Sequence, residues 1–208
     1  MDHVEISCVC VTHGRPYLVE EAIESYRRQT LKEGVELLIV NDCPEQTLTC
    51  RLPGVRIVNL RHPITDLAAK FNWAVKQAAG EWVAWWEDDD ISLPHRLEYS
   101  ISMASMHNVD YWKQCKAWNW NHGRIDALGH NLYFGNGMFK RDLYLNSGGA
   151  TPGGWADSTA HDNMAATARS RFVEEDPEPP DVYWVYCWGG RCFHDSGGGE
   201  QDSLTRFK

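Results

Sequence analysis

Over residues 4–86 the apolar positions form short unbroken runs, separated by stretches in which they recur at three- and four-residue spacing. Val4 to Val11 predicts a first strand, and Pro16 opens a predicted helix whose apolar positions are Leu18, Ala22, Ile23 and Tyr26. Val35 to Val40 has the continuous apolar character of a strand buried on both faces. Val55 to Leu60 predicts a third strand, Ile64 to Ala79 a second helix closed by Gly80, and Trp82 to Trp86 a fourth strand. This alternation specifies an α/β fold with a mostly parallel central sheet flanked by helices.

Beyond Pro94 the alternation stops. The pattern there predicts a helix from His95 to Met106, strands from Tyr111 to Trp118 and from Leu132 to Phe134, and a short helix from Lys140 to Asn146. A Gly-rich loop from Ser147 to Trp155 follows, then a helix from Thr159 to Arg171. A turn at Pro177 to Pro180 and a last strand from Val182 to Cys187 precede a Gly-rich tail. Neither a repeat nor a linker interrupts the chain, so one domain is expected over residues 1–208.

With 208 residues, 43% hydrophobic and 12% aromatic, the chain can bury a substantial core, which excludes a disordered or fibrous protein. It holds no run of about 18 apolar residues and no basic leader before an apolar stretch. A soluble cytoplasmic chain without membrane insertion is expected. None of the seven cysteines is in CxxC spacing, which favours reduced thiols over a zinc or redox site. The net charge of −9 argues against the broad basic face that sequence-independent nucleic-acid binding requires.

The negative charge is densest at one place. Glu87-Asp88-Asp89-Asp90 follows the fourth predicted strand at its carboxyl end, the edge where open α/β sheets collect ligands. Four consecutive acids repel one another unless a cation sits among them, and an all-oxygen donor set suits Mg²⁺ or Mn²⁺. A solvated helix start carries such acids equally well. Thr12-His13-Gly14-Arg15 and Asn41-Asp42, polar segments at the ends of the first two strands, tip the balance by converging on the same edge.

These segments resemble the inverting family-two glycosyltransferases, closely over residues 4–97 and more loosely over 130–196, and the resemblance implies a GT-A-type, Rossmann-like domain. Ile6 to Arg15 is similar to that family's opening strand and Thr-x-x-Arg turn, which implies that Thr12 and Arg15 border the uracil and ribose of a nucleotide-sugar. Val40-Asn41-Asp42 resembles the second strand end, implying a base contact for Asp42. Lys70-Phe71-Asn72 resembles the Ala-Arg-Asn helix, with Phe71 where Arg is usual, and implies donor contacts for Lys70 and Asn72. Trp86 to Pro94 resembles the Leu-Asp-x-Asp-Asp-Ile-x-x-Pro pattern. Its register makes Asp89 the leading metal ligand, with Asp88 and Asp90 as alternatives and Glu87 and Asp88 on the donor side.

The family's base is a carboxylate at a helix start after a Gly-rich loop, and the resemblance assigns that role to Asp162 in His161-Asp162. An ordinary acid in a first helical turn fits the same position. Trp188 to His194 resembles the family's Trp-Gly-x-x-x-His segment, implying that His194 is a further metal ligand on a flexible C-terminal loop, although a lone histidine fits a structural role as well, and Asp195 either orients its imidazole or is merely exposed. Gly135-Asn136-Gly137 resembles a turn under the sugar. Trp82, Trp85 and Trp86 are expected in the core, whereas Trp118, Trp120 and Trp155 fit either core packing or stacking on an acceptor.

The resemblance thus implies metal-dependent transfer of a hexosyl unit from a UDP-sugar to an acceptor hydroxyl, with residues 1–97 holding the donor and 98–208 the acceptor. A glycan, a lipid-linked sugar or a protein fits as acceptor. Lys113, Lys116, Arg124, Lys140 and Arg141 among aromatics leave room for modified DNA. Two rivals are a sugar-phosphate nucleotidyltransferase, disfavoured because Gly14 alone stands where a Gly-rich loop would be, and a non-catalytic nucleotide- or carbohydrate-binding module.

Overall fold

Side chains that alternate along the first strands are divided between two cores, one on each face of a seven-stranded sheet. The computed structural model describes residues 4–121, 124–130, 134–153, 156–167 and 171–188. The chain runs β1 (Ile6–Thr12), α1 (Pro16–Arg27), β2 (Val35–Asn41), β3 (Val55–Asn59), α2 (Leu67–Gln77), β4 (Trp82–Trp85), β5 (Ile91–Ser92) and α3 (Arg96–Met106). It continues through β6 (Tyr111–Gln114), β7 (Lys116–Asn121), β8 (Arg124–His130), β9 (Met138–Lys140), α4 (Arg141–Asn146), α5 (Ala156–Thr167), β10 (Phe172–Glu175) and β11 (Trp184–Trp188).

The large sheet has the order β10-β6-β9-β4-β1-β2-β3, and a small one has the order β5-β11-β7-β8. β1 pairs in parallel with β2 and β4, and β2 with β3, whereas β9 runs antiparallel to β4 and β6. Val9, Leu38, Val40, Val83 and Trp85 pack with α2, α4 and α5 on one face. Cys8, Cys10, Leu37, Ile39 and Trp86 pack with α1 and α3 on the other. The expected α/β fold with a mostly parallel sheet is present, and Trp82, Trp85 and Trp86 are core residues.

Gly80 serves a different purpose from the helix stop expected of it. α2 ends at Gln77, and Ala78 is already extended. A Cβ on Gly80 would lie 2.7 Å from the Ser7 backbone nitrogen, so the glycine lets the chain leaving α2 press onto β1. The Gly80 amide donates to Ser7 Oγ at 2.8 Å, and Ser7 Oγ donates to Glu36 at 2.6 Å. Glu36 also accepts from Arg56 at 3.0 Å and from the Ala79 amide at 2.9 Å.

Burial alone would raise the Glu36 pKa, but the Arg56 guanidinium, the Ser7 hydroxyl and the Ala79 N–H hold it below the ordinary glutamate value. A depressed folded pKa adds stability above the unfolded pKa of about 4.3, and that stability is lost as pH falls through the folded value. Glu36→Gln is therefore expected to cost about 1–3 kcal/mol near neutral pH. In thermal melts its deficit against the wild type should shrink as pH falls below about 4; a deficit independent of pH would mean that the charge of Glu36 is irrelevant.

The second half departs further from expectation. The strand expected from Tyr111 to Trp118 is broken at Cys115, where the chain leaves the large sheet as β6 and enters the small one as β7. Of the strand expected at Leu132 to Phe134, the first two residues lie outside the described set and Phe134 is not in a strand. The sheet is instead continued by β9, while β8 and β10 have no counterpart in the expectations.

Candidate active site

β1 and β4 are parallel neighbours, with Val9 opposite Trp85, so the segments leaving their carboxyl ends meet. Thr12 Oγ1 donates to Asp88 Oδ2 at 2.6 Å, and Arg15 reaches Asp88 at 2.7 Å and Asp89 at 3.1 Å. Thr12 is 1% exposed and Asp88 2%. Thr12 and Arg15, expected along a nucleotide, are engaged with the acidic run itself, and Asp88 is turned toward them. Burial pushes the Asp88 carboxyl up to about 7, against the pull of Arg15 and with a push from Asp89.

Asp42, expected at the base, is 1% exposed. Its Oδ1 accepts from Lys70 Nζ and His13 Nδ1, each at 2.8 Å, and its Oδ2 accepts from the Ile64 amide at 2.9 Å. Burial opposes the charge, but Lys70, Ile64 and His13 keep the pKa of Asp42 below the usual aspartate value. Lys70 is thereby the counter-ion of Asp42. Asn72 is committed elsewhere: its amide bonds the Ala150 carbonyl and amide at 2.8 and 2.9 Å and accepts the Tyr144 hydroxyl at 2.8 Å. It pins the loop after α4. Phe71, in the place of an arginine, packs edge-on against Trp85 in the core.

Carboxylate oxygens of Glu87, Asp89 and Asp90 lie within 4.8 Å of one another. Asp90 Oδ1 accepts the Cys187 amide at 2.8 Å, while Asp90 Oδ2 is buried and faces no donor. Burial, then the nearby negative charge of Asp89 and Asp157, pushes Glu87 up to about 7, although its contact with Asp90 works the other way. Asp90 is raised well above the ordinary range by burial and then by Glu87. A shared proton or a divalent cation would relieve this strain, and three carboxylates with an unmet buried oxygen suit Mg²⁺ or Mn²⁺. Gly135 shapes the other wall, since a Cβ there would lie 2.6 Å from the Glu87 carboxylate.

The expected base lies differently from its assignment. α5 starts at Ala156, three residues before the expected helix start, so Asp162 sits inside the helix with an exposed side chain. The first-turn acid is Asp157, half-buried and close enough for its charge to raise Glu87. One helical turn on, His161 faces the same side, with Nδ1 at 2.8 Å from the Tyr111 hydroxyl and its ring 4.6 Å from that of Phe134, next to Gly135. Asp157 is also the first acid after the Gly-rich loop in the sequence. His194 and Asp195 lie outside the described residues, as do Trp155 and the side chain of Trp188.

The basic residues that left room for modified DNA are largely committed. Lys113 pairs with Glu174 at 3.1 Å, Lys116 with Asp176 at 2.7 Å and Lys140 with Glu81 at 3.0 Å. Arg141 Nη1 donates to the Ala78 carbonyl at 2.8 Å, and the Arg124 side chain lies outside the described residues. Trp118 and Trp120 stay half-buried on β7.

A family model described as "Glycosyl transferase family 2" matches residues 7–156. An uncharacterized glycosyltransferase of Rickettsia typhi is 30% identical over 127 residues, which cover 60% of this chain and 38% of that protein. The uncharacterized glycosyltransferase YwdF of Bacillus subtilis is 36% identical over 100 residues, 46% of this chain and 36% of its own length. The chain thus spans well under half the length of these curated relatives. Among solved structures, S. aureus TarS 1–349 in complex with UDP superposes with a TM-score of 0.68 at 14% identity, covering 89% of this chain and 61% of that one. The mannosyltransferase PcManGT from Pyrobaculum calidifontis, in complex with GDP-Man and Mn²⁺, superposes with a TM-score of 0.62 at 19% identity, covering 88% and 57%. At these identities the structural likeness establishes a GT-A glycosyltransferase fold.

Proposed function

The chain belongs to glycosyl transferase family 2, and from that membership we propose that it transfers a hexosyl unit from a UDP-sugar to an acceptor hydroxyl with inversion. The observation that carries this reading is the convergence of carboxylate oxygens of Glu87, Asp89 and Asp90 at the sheet's carboxyl edge, with Asp90 Oδ2 buried and unpaired. These three residues would hold Mn²⁺ or Mg²⁺, with His194 as a further ligand. When bound, the cation would neutralise charge on the departing diphosphate. Arg15 and Thr12 keep Asp88 and Asp89 in place beneath the donor, and the strand-edge group of Asp42, Lys70 and His13 borders the nucleobase.

A base opposite the leaving group must take the proton of the acceptor hydroxyl as it attacks the anomeric carbon. The family pattern points to Asp162, but the first-turn position of Asp157 after the Gly-rich loop and its half-buried side chain favour Asp157 for that role. The acceptor is a hydroxyl of a glycan, a lipid-linked sugar or a protein; the ion pairs of Lys113, Lys116 and Lys140 weigh against DNA. Residues 1–97 form the donor half and 98–208 the acceptor half. No helix among the described residues is long and apolar enough to cross a membrane. The six described cysteines are all free, which fits a cytoplasmic enzyme.

Neighbouring folds bind UDP, UDP-GlcNAc and GDP-Man with Mn²⁺, so the test covers both nucleotides. Calorimetric titration with UDP, GDP and a panel of UDP-sugars, with Mn²⁺ or Mg²⁺ and then with chelator, should show UDP binding that disappears on chelation. Absence of binding to every nucleotide tried, with metal present, would remove the reading.

A further inference from the structure

Arg96, at the start of α3, is a charged residue only 1% exposed. Its Nη2 donates to the Trp85 carbonyl at 2.6 Å and to the Gly135 carbonyl at 3.1 Å, and its Nη1 donates to Ser92 Oγ at 2.6 Å. The guanidinium carbon lies 5.1 Å from the ring centre of Trp86 and 5.8 Å from that of Tyr183. Each hydrogen-bond partner adjoins the acidic run. Trp85 ends β4 two residues before Glu87, Ser92 lies two residues after Asp90, and Gly135 forms the wall against the Glu87 carboxylate.

A charge buried this deeply costs several kcal/mol unless it is balanced, and a core this apolar would accept leucine or methionine more readily. What the position offers is three acceptors from three separate chain segments, which the flat fork of an arginine meets from two nitrogens while lying against Trp86, a geometry that the single nitrogen of a lysine does not reproduce. Burial lowers the pKa of the guanidinium, and Tyr183, Cys8, Glu87 and Asp90 work against that shift.

We propose that Arg96 is a positioning residue of the cation site: by tying the end of β4, β5 and the Gly135 turn to one guanidinium, it sets where the carboxylates of Glu87 and Asp90 stand. The inference rests on the reading that these acids take a divalent cation. It differs from a purely structural role in what it demands of a folded variant. Outer-shell partners of this kind are worth about 10–100-fold in metal affinity.

The probe is Mn²⁺ alone, titrated calorimetrically into the folded chain well below its melting temperature. Arg96→Lys keeps the charge but not the three bonds, and is expected to weaken Mn²⁺ binding by about ten-fold. Ser92→Ala removes one acceptor, leaves the arginine in place, and serves if Arg96→Lys does not fold; a loss of about three-fold is expected, within the range of one hydrogen bond. Gly135→Ala displaces Glu87 directly, so if Arg96 acts through the same carboxylate, Arg96→Lys combined with Gly135→Ala binds Mn²⁺ no more weakly than the worse single variant. Folded Arg96→Lys or Ser92→Ala with wild-type Mn²⁺ affinity, or losses that simply add in the double variant, would overturn the proposal. A wild-type chain that takes up no Mn²⁺ would instead bring down the cation site itself.

Discussion

Asp89→Ala is expected to lower transfer by about 10²–10³-fold and to abolish the metal dependence of UDP binding, while the protein stays folded. Asp89 is one of the three acids whose oxygens converge, and its Oδ2 accepts from Arg15 Nη1 at 3.1 Å. When that contact goes, Arg15 keeps Asp88 at 2.7 Å, so no buried charge is stranded. Asp88→Ala makes the contrast. It removes the partner of both Thr12 and Arg15 beneath the site, so its main effect should be a lower melting temperature. Calorimetry with UDP and Mn²⁺, run beside thermal melts, separates the two. An Asp89→Ala chain that still binds UDP only with metal would mean that Glu87 and Asp90 suffice and that Asp89 has been misassigned.

The second large effect belongs to the base. Asp157→Asn should reduce turnover by about 10²–10⁴-fold, the range typical of a lost general base, with UDP affinity unchanged. Asparagine keeps the first-turn position, and its side-chain oxygen can still accept the Ser158 amide that Asp157 Oδ1 accepts at 2.9 Å, so folding should be little affected. Asp162→Asn, at an exposed position inside α5, should alter turnover less than about two-fold, as surface changes usually do. Activity has to be measured as transfer to an acceptor, because donor hydrolysis bypasses the acceptor proton. The opposite ranking of the two variants would return the role to Asp162 and would mean that α5 shifts when the acceptor is bound.

The two candidates differ because a helix start is poorly marked in this sequence. Gly153-Gly154-Trp155 announces a loop, but Ala156 to Ala160 carries no apolar period to say where the helix takes over. The first four strands were easier to read. Buried parallel strands are covered on both faces and therefore print as unbroken apolar runs, as Val35 to Val40 does. In β8 and β10, Arg-Ile-Asp-Ala-Leu-Gly-His and Phe-Val-Glu-Glu, too little alternation survives to betray a strand. Their pairing depends on β7 and β6, partners supplied by the fold rather than by local propensity.

Legible in the chain alone are the succession of β1 to β4, the edge on which they end, and the presence there of more negative charge than four neighbouring side chains can hold alone. Periodicity and repulsion are local, and local effects are legible in one dimension. How the acids share their work was decided by the tertiary structure. Asp88 turns to Thr12 and Arg15, seventy and more residues away, while Glu87, Asp89 and Asp90 turn together, and Asp42 is taken by Lys70 and His13. Likewise, Arg96 reads in the chain as one more helix residue. Its role comes from three acceptors on separate segments, which only the closed fold brings within hydrogen-bonding distance.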